Sequence, residues 1–198
     1  NPDALAKEAD SLRKHKDYYY GYRGLPKEDF NLIKEELRNE KEYSLQNAAK
    51  FYALNRSSFS GATLSGGWSK RASYERFTDS SITRIREFNQ PKLYVSAQHF
   101  KHSIPAHPKT FLYLDPPYLL GKDKENLYGD AGNKHKGFDH AGLVNILKER
   151  DNWILSYNNC PEILKLYEGY DIIYPDWKYG MSSDKTSKEV LIINKGKK

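Results

Sequence analysis

The two halves of the chain carry different hydrophobic rhythms. Residues 3–16 (DALAKEADSLRKHK) have helix-forming composition, with Leu5, Ala9 and Leu12 on one face. The run DYYYGYRGLP then breaks that pattern with glycine and proline. Ser44 is a fair N-cap for a second helix ending near Leu54, whose apolar stripe is Ala48, Ala49, Phe51 and Tyr52. From Asn55 the stretch NRSSFSGATLSGGWSKRASYERF holds neither a helical nor a strand period for long, which predicts an extended loop region. Phe59, Trp68 and Phe77 inside it argue against disorder. A short helix over SSITRIREF, capped by Ser80 or Ser81, closes the region.

The second half alternates apolar runs with helical stripes. Strands are predicted at Lys92–Ser96, Phe111–Asp115, Trp153–Tyr157, Tyr170–Tyr174 and Glu189–Asn194, and helices over His140–Glu149 and Pro161–Tyr167. Strand–helix–strand order with apolar strands means an α/β layer around a largely parallel sheet. The connection PDWKYGMSSDKTSK shows no helical stripe, so the last two strands are expected to pair antiparallel. The division that follows is 1–54 as a helical part, 55–90 as a loop-rich and helical insertion, and 91–198 as the α/β lobe.

Composition narrows the picture. A hydrophobic content of 38% is low for 198 residues, yet 14% aromatics, with 16 tyrosines, are far more than a disordered chain carries. A net charge of +6 suits an acidic partner, of which nucleic acid is the commonest. The single cysteine, Cys160, excludes an internal disulfide framework and a multi-cysteine zinc site, and points to a reducing compartment. No apolar run approaches the length of a membrane span. An intracellular protein is expected, cytoplasmic or nucleoid-associated, with a viral or plasmid origin left open.

The stretch TFLYLDPPYLLG, residues 110–121, concentrates the chemistry. Ligands of open α/β sheets bind at the carboxyl ends of strands, and Asp115 ends one. Pro116 and Pro117 fix two φ angles and remove two backbone donors. A carboxylate and a neighbouring carbonyl are thereby two acceptors side by side with no competing donor, a pair suited to a planar NH₂ group. Tyr118 adds a flat face on which a heterocycle can stack. His99 and His102 lie three apart without an evident third ligand, so no metal site is expected. GDAGNKHKG lacks the strand and the Lys-Ser/Thr of a phosphate loop and is expected to lie beside the active site. Cys160 has no evident histidine partner and is expected to be structural.

DPPY after the strand FLYL resembles the catalytic motif of the amino-group DNA methyltransferases. AAKFYALNRSSFSG resembles the segment that opens the target-recognition region of the Dam-like (D12 class) adenine-N6 enzymes, and WILSYNN, YPDWKY and EVLIIN resemble their following segments. The order, with recognition region before catalytic motif, is that of the Dam-like group. The resemblance implies S-adenosylmethionine as methyl donor, double-stranded DNA as partner and no metal. It implies that Asp115 and the Pro116 carbonyl accept from adenine N6 and that Pro117 holds the loop. Tyr118 would stack on the flipped base, with Asp115 also bordering the cofactor. An Asp in first place resembles the adenine enzymes, where Ser would suggest cytosine-N4 chemistry.

For the recognition region the resemblance implies DNA contacts from Arg56, Ser57, Ser58, Phe59, Lys70, Arg71 and Arg76, with Arg84 and Arg86 as further donors, and Phe59 at the position of an aromatic wedge. Ser60 and ATLSGG depart from the bacterial Dam pattern, so a GATC target is not implied, nor is a choice between restriction–modification and genome marking. The family's glycine-rich cofactor loop and its acidic partner have no match, while NPDALAKEADSLRKH resembles the helix that follows that acidic residue. The expectation is a partial Rossmann-like class I methyltransferase sheet without its first two strands. The chain would then be a fragment, one half of a split enzyme or a truncated relic, with weak cofactor affinity of its own. A second chain, or a missing N-terminal segment, would supply the cofactor loop. Two alternatives share these motifs: a non-catalytic DNA-recognition subunit, and an RNA or protein N-methyltransferase.

Overall fold

The computed structural model describes residues 1–16, 21, 23–40, 42–119, 137–176 and 189–195. They fall into two compact units, Asn1–Tyr94 and the residues from Val95 onward.

The first unit is helical. Helix α1 (Pro2–Ser11) starts where the Asn1 side chain accepts from the backbone N–H groups of Asp3 and Ala4, and Pro2 needs no such acceptor. The helix expected to reach residue 16 stops at Ser11, because β1 (Lys14–Lys16) pairs antiparallel with β2 (Arg23–Gly24). Helix α2 (Lys27–Asn39) enters from Pro26 and buries Phe30 and Ile33. Helix α3 (Leu45–Ser57) is capped by Ser44, as expected. Within the expected loop region a short helix α4 (Lys70–Glu75) forms behind the Ser69 cap. Helix α5 (Asp79–Arg86) is capped by Thr78 rather than by Ser80 or Ser81.

The core of this unit joins residues from both sides of position 55: Ala6, Ala9, Phe30, Ala49, Ala53, Leu54, Phe77 and Ile82. The alanines let α1 pack closely on α3 and α5. Arg13 sits behind them with only 1% of its side chain exposed, donating to Asp10 at 2.9 Å and Asp79 at 2.5 Å. Its guanidinium also lies over the Phe77 ring at 5.8 Å.

The second unit holds a mixed sheet. It contains α6 (Phe100–Ala106), β3 (Leu112–Leu114), α7 (His140–Lys148), β4 (Trp153–Asn158), α8 (Pro161–Leu166), β5 (Asp171–Ile173) and β6 (Glu189–Asn194). The strand order is β3-β4-β6-β5. Only β3 and β4 run parallel; β4 with β6 and β5 with β6 are antiparallel, so the largely parallel expectation is corrected among the described residues. The antiparallel pairing of the last two strands is as expected. Lys92–Ser96 is not a strand. Leu93, Tyr94 and Val95 are exposed and make no ladder among the described residues, and β-branched or aromatic composition alone does not hold an isolated strand.

Period-2 alternation sorts the sheet. Trp153, Leu155 and Tyr157 of β4 and Val190 and Ile192 of β6 are buried with Leu143, Val144 and Leu147 of α7 and Ile163 of α8. Asp139 caps α7 by accepting from Gly142 N–H at 2.8 Å, and a Cβ at Gly142 would meet that carboxylate at 2.2 Å. Arg150 donates to the carbonyls of Ile104, His107 and Thr110, fixing the approach to β3. Among the described residues no helix is long and apolar enough to cross a membrane. Most of GDAGNKHKG and most of PDWKYGMSSDKTSK lie outside the described residues.

Candidate active site

Asp115 leaves the end of β3 one residue past the register pair Leu114–Leu155, which brings it beside Ser156 on the sheet face opposite Trp153, Leu155 and Tyr157. Ser156 Oγ lies 2.9 Å from Asp115 Oδ1. Two positions on, Asn158 Nδ2 donates to the Leu119 carbonyl at 2.8 Å, so β4 grips the loop at both ends. Tyr118 donates its phenol proton to Glu189 Oε1 at 3.0 Å, and Glu189 lies opposite Asn158 in the β4–β6 register. The loop 115–119 is therefore tied to two strands by three side chains, none of them within the motif itself.

The electrostatics keep Tyr118 protonated. Burial pushes its phenol far above the ordinary value; a hydrogen bond with Ser156 opposes that, and the Asp115 and Glu189 carboxylates add to it. Its ring centroid is 5.8 Å from that of Tyr157, which backs the loop from the buried side. Tyr157 is also raised by burial, and its hydroxyl is hydrogen-bonded to His140 Nδ1. Burial likewise raises the Cys160 thiol, which leaves it a poor nucleophile, in line with a structural role. No group of three or more histidine, cysteine or acidic side chains could hold a metal among the described residues.

Asp115 is exposed, while Pro116, Pro117 and Tyr118 are half-buried. An exposed carboxylate, a rigid prolyl carbonyl and an anchored aromatic ring form a site that accepts hydrogen bonds and stacks. The sequence reasoning passed over Ser156, Asn158 and Glu189. Their signal was present in WILSYNN and EVLIIN, where polar residues interrupt the apolar alternation at one end of each strand.

In the first unit the expected DNA-contact residues separate into two groups. Arg56 donates through Nε and Nη2 to the Arg76 carbonyl at 3.1 and 3.0 Å, and Arg76 donates to the Ser58 carbonyl. Burial, then the Arg56 charge, lowers the Arg76 guanidinium below its ordinary value. Ser57 and Ser58 are fully buried, which puts their side chains inside the loop rather than on its surface. Ser58 Oγ accepts from Thr63 N–H at 3.1 Å. Phe59, by contrast, is 72% exposed, and Lys70 and Arg71 lie exposed at the start of α4.

The Phe59 loop is closed and braced. Ser58 bridges Trp68, and Phe59 N–H donates to the Gly67 carbonyl at 2.9 Å. Lys34 reaches the Gly66 carbonyl at 2.6 Å and Arg38 the Leu64 carbonyl at 3.1 Å, both from α2. Ser60 has φ of 52°, a left-handed conformation that costs a non-glycine residue energy and persists only where its surroundings enforce it.

A family model described as D12 class N6 adenine-specific DNA methyltransferase matches residues 1–181. No curated protein matches the chain.

Proposed function

The chain belongs to the D12 class of N6 adenine-specific DNA methyltransferases, whose methyl donor is S-adenosylmethionine, and from that premise we propose that it acts on an adenine flipped out of duplex DNA. Asp115 and the Pro116 carbonyl accept the two N–H bonds of N6, and Tyr118 stacks on the ring. With both protons engaged, the nitrogen lone pair points away from the acceptors, toward an incoming methyl group. The carboxylate also stabilises the positive charge that develops on N6 during transfer. The proton it faces leaves afterwards, so Asp115 works as an electrostatic partner and needs no strong basicity.

One observation carries this reading: the Asp115 carboxylate stands exposed at a strand end while a buried serine holds one of its oxygens. S-adenosylmethionine supplies an electrophilic methyl group in this family. Among the described residues no glycine turn follows a strand of the second unit's sheet to cradle it. The glycines with close neighbours, Gly24, Gly61, Gly66 and Gly142, are filled by the chain's own atoms, and none opens a turn at the end of a sheet strand in the second unit. No step is therefore assigned to residues around the cofactor.

The recognition region is proposed as the DNA-reading element. Phe59 is the wedge that enters the base stack, Lys70 and Arg71 contact phosphates, and Arg56 and Arg76 hold the loop. Methyl transfer by the full-length protein to duplex DNA, RNA and peptide, read by mass spectrometry, tests the proposal. N6-methyladenine in duplex DNA is expected; product on RNA or peptide with none on duplex DNA would sink it.

A further inference from the structure

Ser156 is 2% exposed and its hydroxyl is surrounded by more partners than one proton can serve. Oγ lies 2.9 Å from Asp115 Oδ1 and 3.3 Å from the Leu114 carbonyl. The Tyr113 phenol, 3.3 Å away, donates to it. The side chain is also hydrogen-bonded to Tyr118. The contact to the carboxylate is the shorter and is charge-assisted, so it takes the serine proton, while Tyr113 fills a serine lone pair.

This arrangement matters because the carboxylate torsion is broad and roughly two-fold. An exposed aspartate left to itself presents either oxygen over a range of angles. Anchoring Oδ1 on a buried strand hydroxyl narrows that range and leaves Oδ2 as the oxygen for an incoming donor. We infer that Ser156 is a positioning residue which occupies Oδ1 of Asp115 and so reserves Oδ2, with the Pro116 carbonyl, for the two N–H bonds of the substrate amine. The inference rests on the reading of Asp115 as the amine's acceptor, and adds what selects the oxygen. Ser156 acts through Asp115 and does not itself touch the base.

The test uses the full-length protein, wild type and the variants Ser156→Ala, Ser156→Thr and Asp115→Ala, on duplexes carrying its mapped target. Purine, which lacks the exocyclic amine, replaces the target adenine in a second duplex. Ser156→Ala is expected to lower kcat by ~10–100-fold through loss of orientation, with KM for DNA within about 3-fold of wild type. The ratio of Kd values for the purine and adenine duplexes is expected to fall toward one in Ser156→Ala. Ser156→Thr, which keeps the hydroxyl, is expected to recover most of both. Unchanged kcat and unchanged amine discrimination in Ser156→Ala, with Asp115→Ala inactive, would overturn the inference alone. Equal losses in the alanine and threonine variants together with a lowered Tm would also overturn it, as a packing effect. Full activity in Asp115→Ala would instead remove the reading on which the inference rests.

Discussion

Tyr118 has two separable jobs, one for its ring and one for its hydroxyl. In the proposed mechanism the ring is the stacking platform, while the hydroxyl anchors it by donating to Glu189 at 3.0 Å. Tyr118→Ala removes both and is expected to weaken binding of target-containing duplex by about 1–3 kcal/mol, the range for a base–aromatic stack. Tyr118→Phe keeps the ring and loses the hydroxyl's bonds to Glu189 and Ser156, so a smaller loss is expected, with base flipping followed by 2-aminopurine fluorescence. A matching loss in Glu189→Ala that does not add to Tyr118→Phe would identify the tether as its source. At this scale the sequence was legible where chemistry is local. Asp115, Pro116, Pro117 and Tyr118 stand in one tetrapeptide, whereas Ser156 and Glu189 come from other strands and are joined to it only by register. Nor does a sequence say which arginines are spent on carbonyls, as Arg56 and Arg76 are.

Among the elements, the Phe59 loop is the one whose rigidity matters most. Arg76→Ala is expected to lower Tm and weaken DNA binding together, because the Ser58 carbonyl loses its charged donor and keeps the longer 3.3 Å bond from Gly61 N–H. Phe59→Ala, at a 72% exposed position, is expected to leave Tm unchanged and reduce methyl transfer. Equal Tm losses in the two variants would contradict this division. The ion pair between Arg13, just past α1, and Asp79 at the start of α5 supplies a pH test. The hydrogen bond from Arg13, and then its charge, hold the Asp79 carboxyl below the usual carboxylate range. A depressed carboxylate stabilises the fold above the unfolded value of about 3.9, and the contribution is lost as pH falls through the folded value. Asp79→Asn should therefore lower Tm at neutral pH and match wild type at the acid end. Asp79 is 80% exposed, so the neutral gap should be no more than about 1 kcal/mol. Helix α2 shows how much pattern was available and passed over: Pro26, two acids in the first turn, and Phe30 and Ile33 one turn apart. Lys92–Ser96 shows the opposite failure, a strand-like composition that finds no ladder among the described residues.

Taken as a whole, the chain is a mixed α/β protein with two hydrophobic cores, an alanine-rich one among helices and an aromatic-rich one on the sheet. Its +6 charge predicts DNA affinity that falls steeply with salt. Arg71→Ala, far from the acceptor loop in sequence, should reduce the slope of log Kd against log salt by about one and leave the product unchanged. A full loss of methylation in that variant would place Arg71 in the chemistry instead. Fold class was readable from the strand–helix alternation, and the antiparallel β5–β6 pair from its stripe-free connection, but the antiparallel β4–β6 pairing was not, because strand order in the sheet is set by long-range contacts. The most direct test of the account is the modified base itself. Duplex DNA treated with S-adenosylmethionine and the full-length protein, then digested and resolved by mass spectrometry, should contain N6-methyladenine with wild type and none with Asp115→Ala. N6-methyladenine at wild-type level from Asp115→Ala, or N4-methylcytosine as the product, would contradict it.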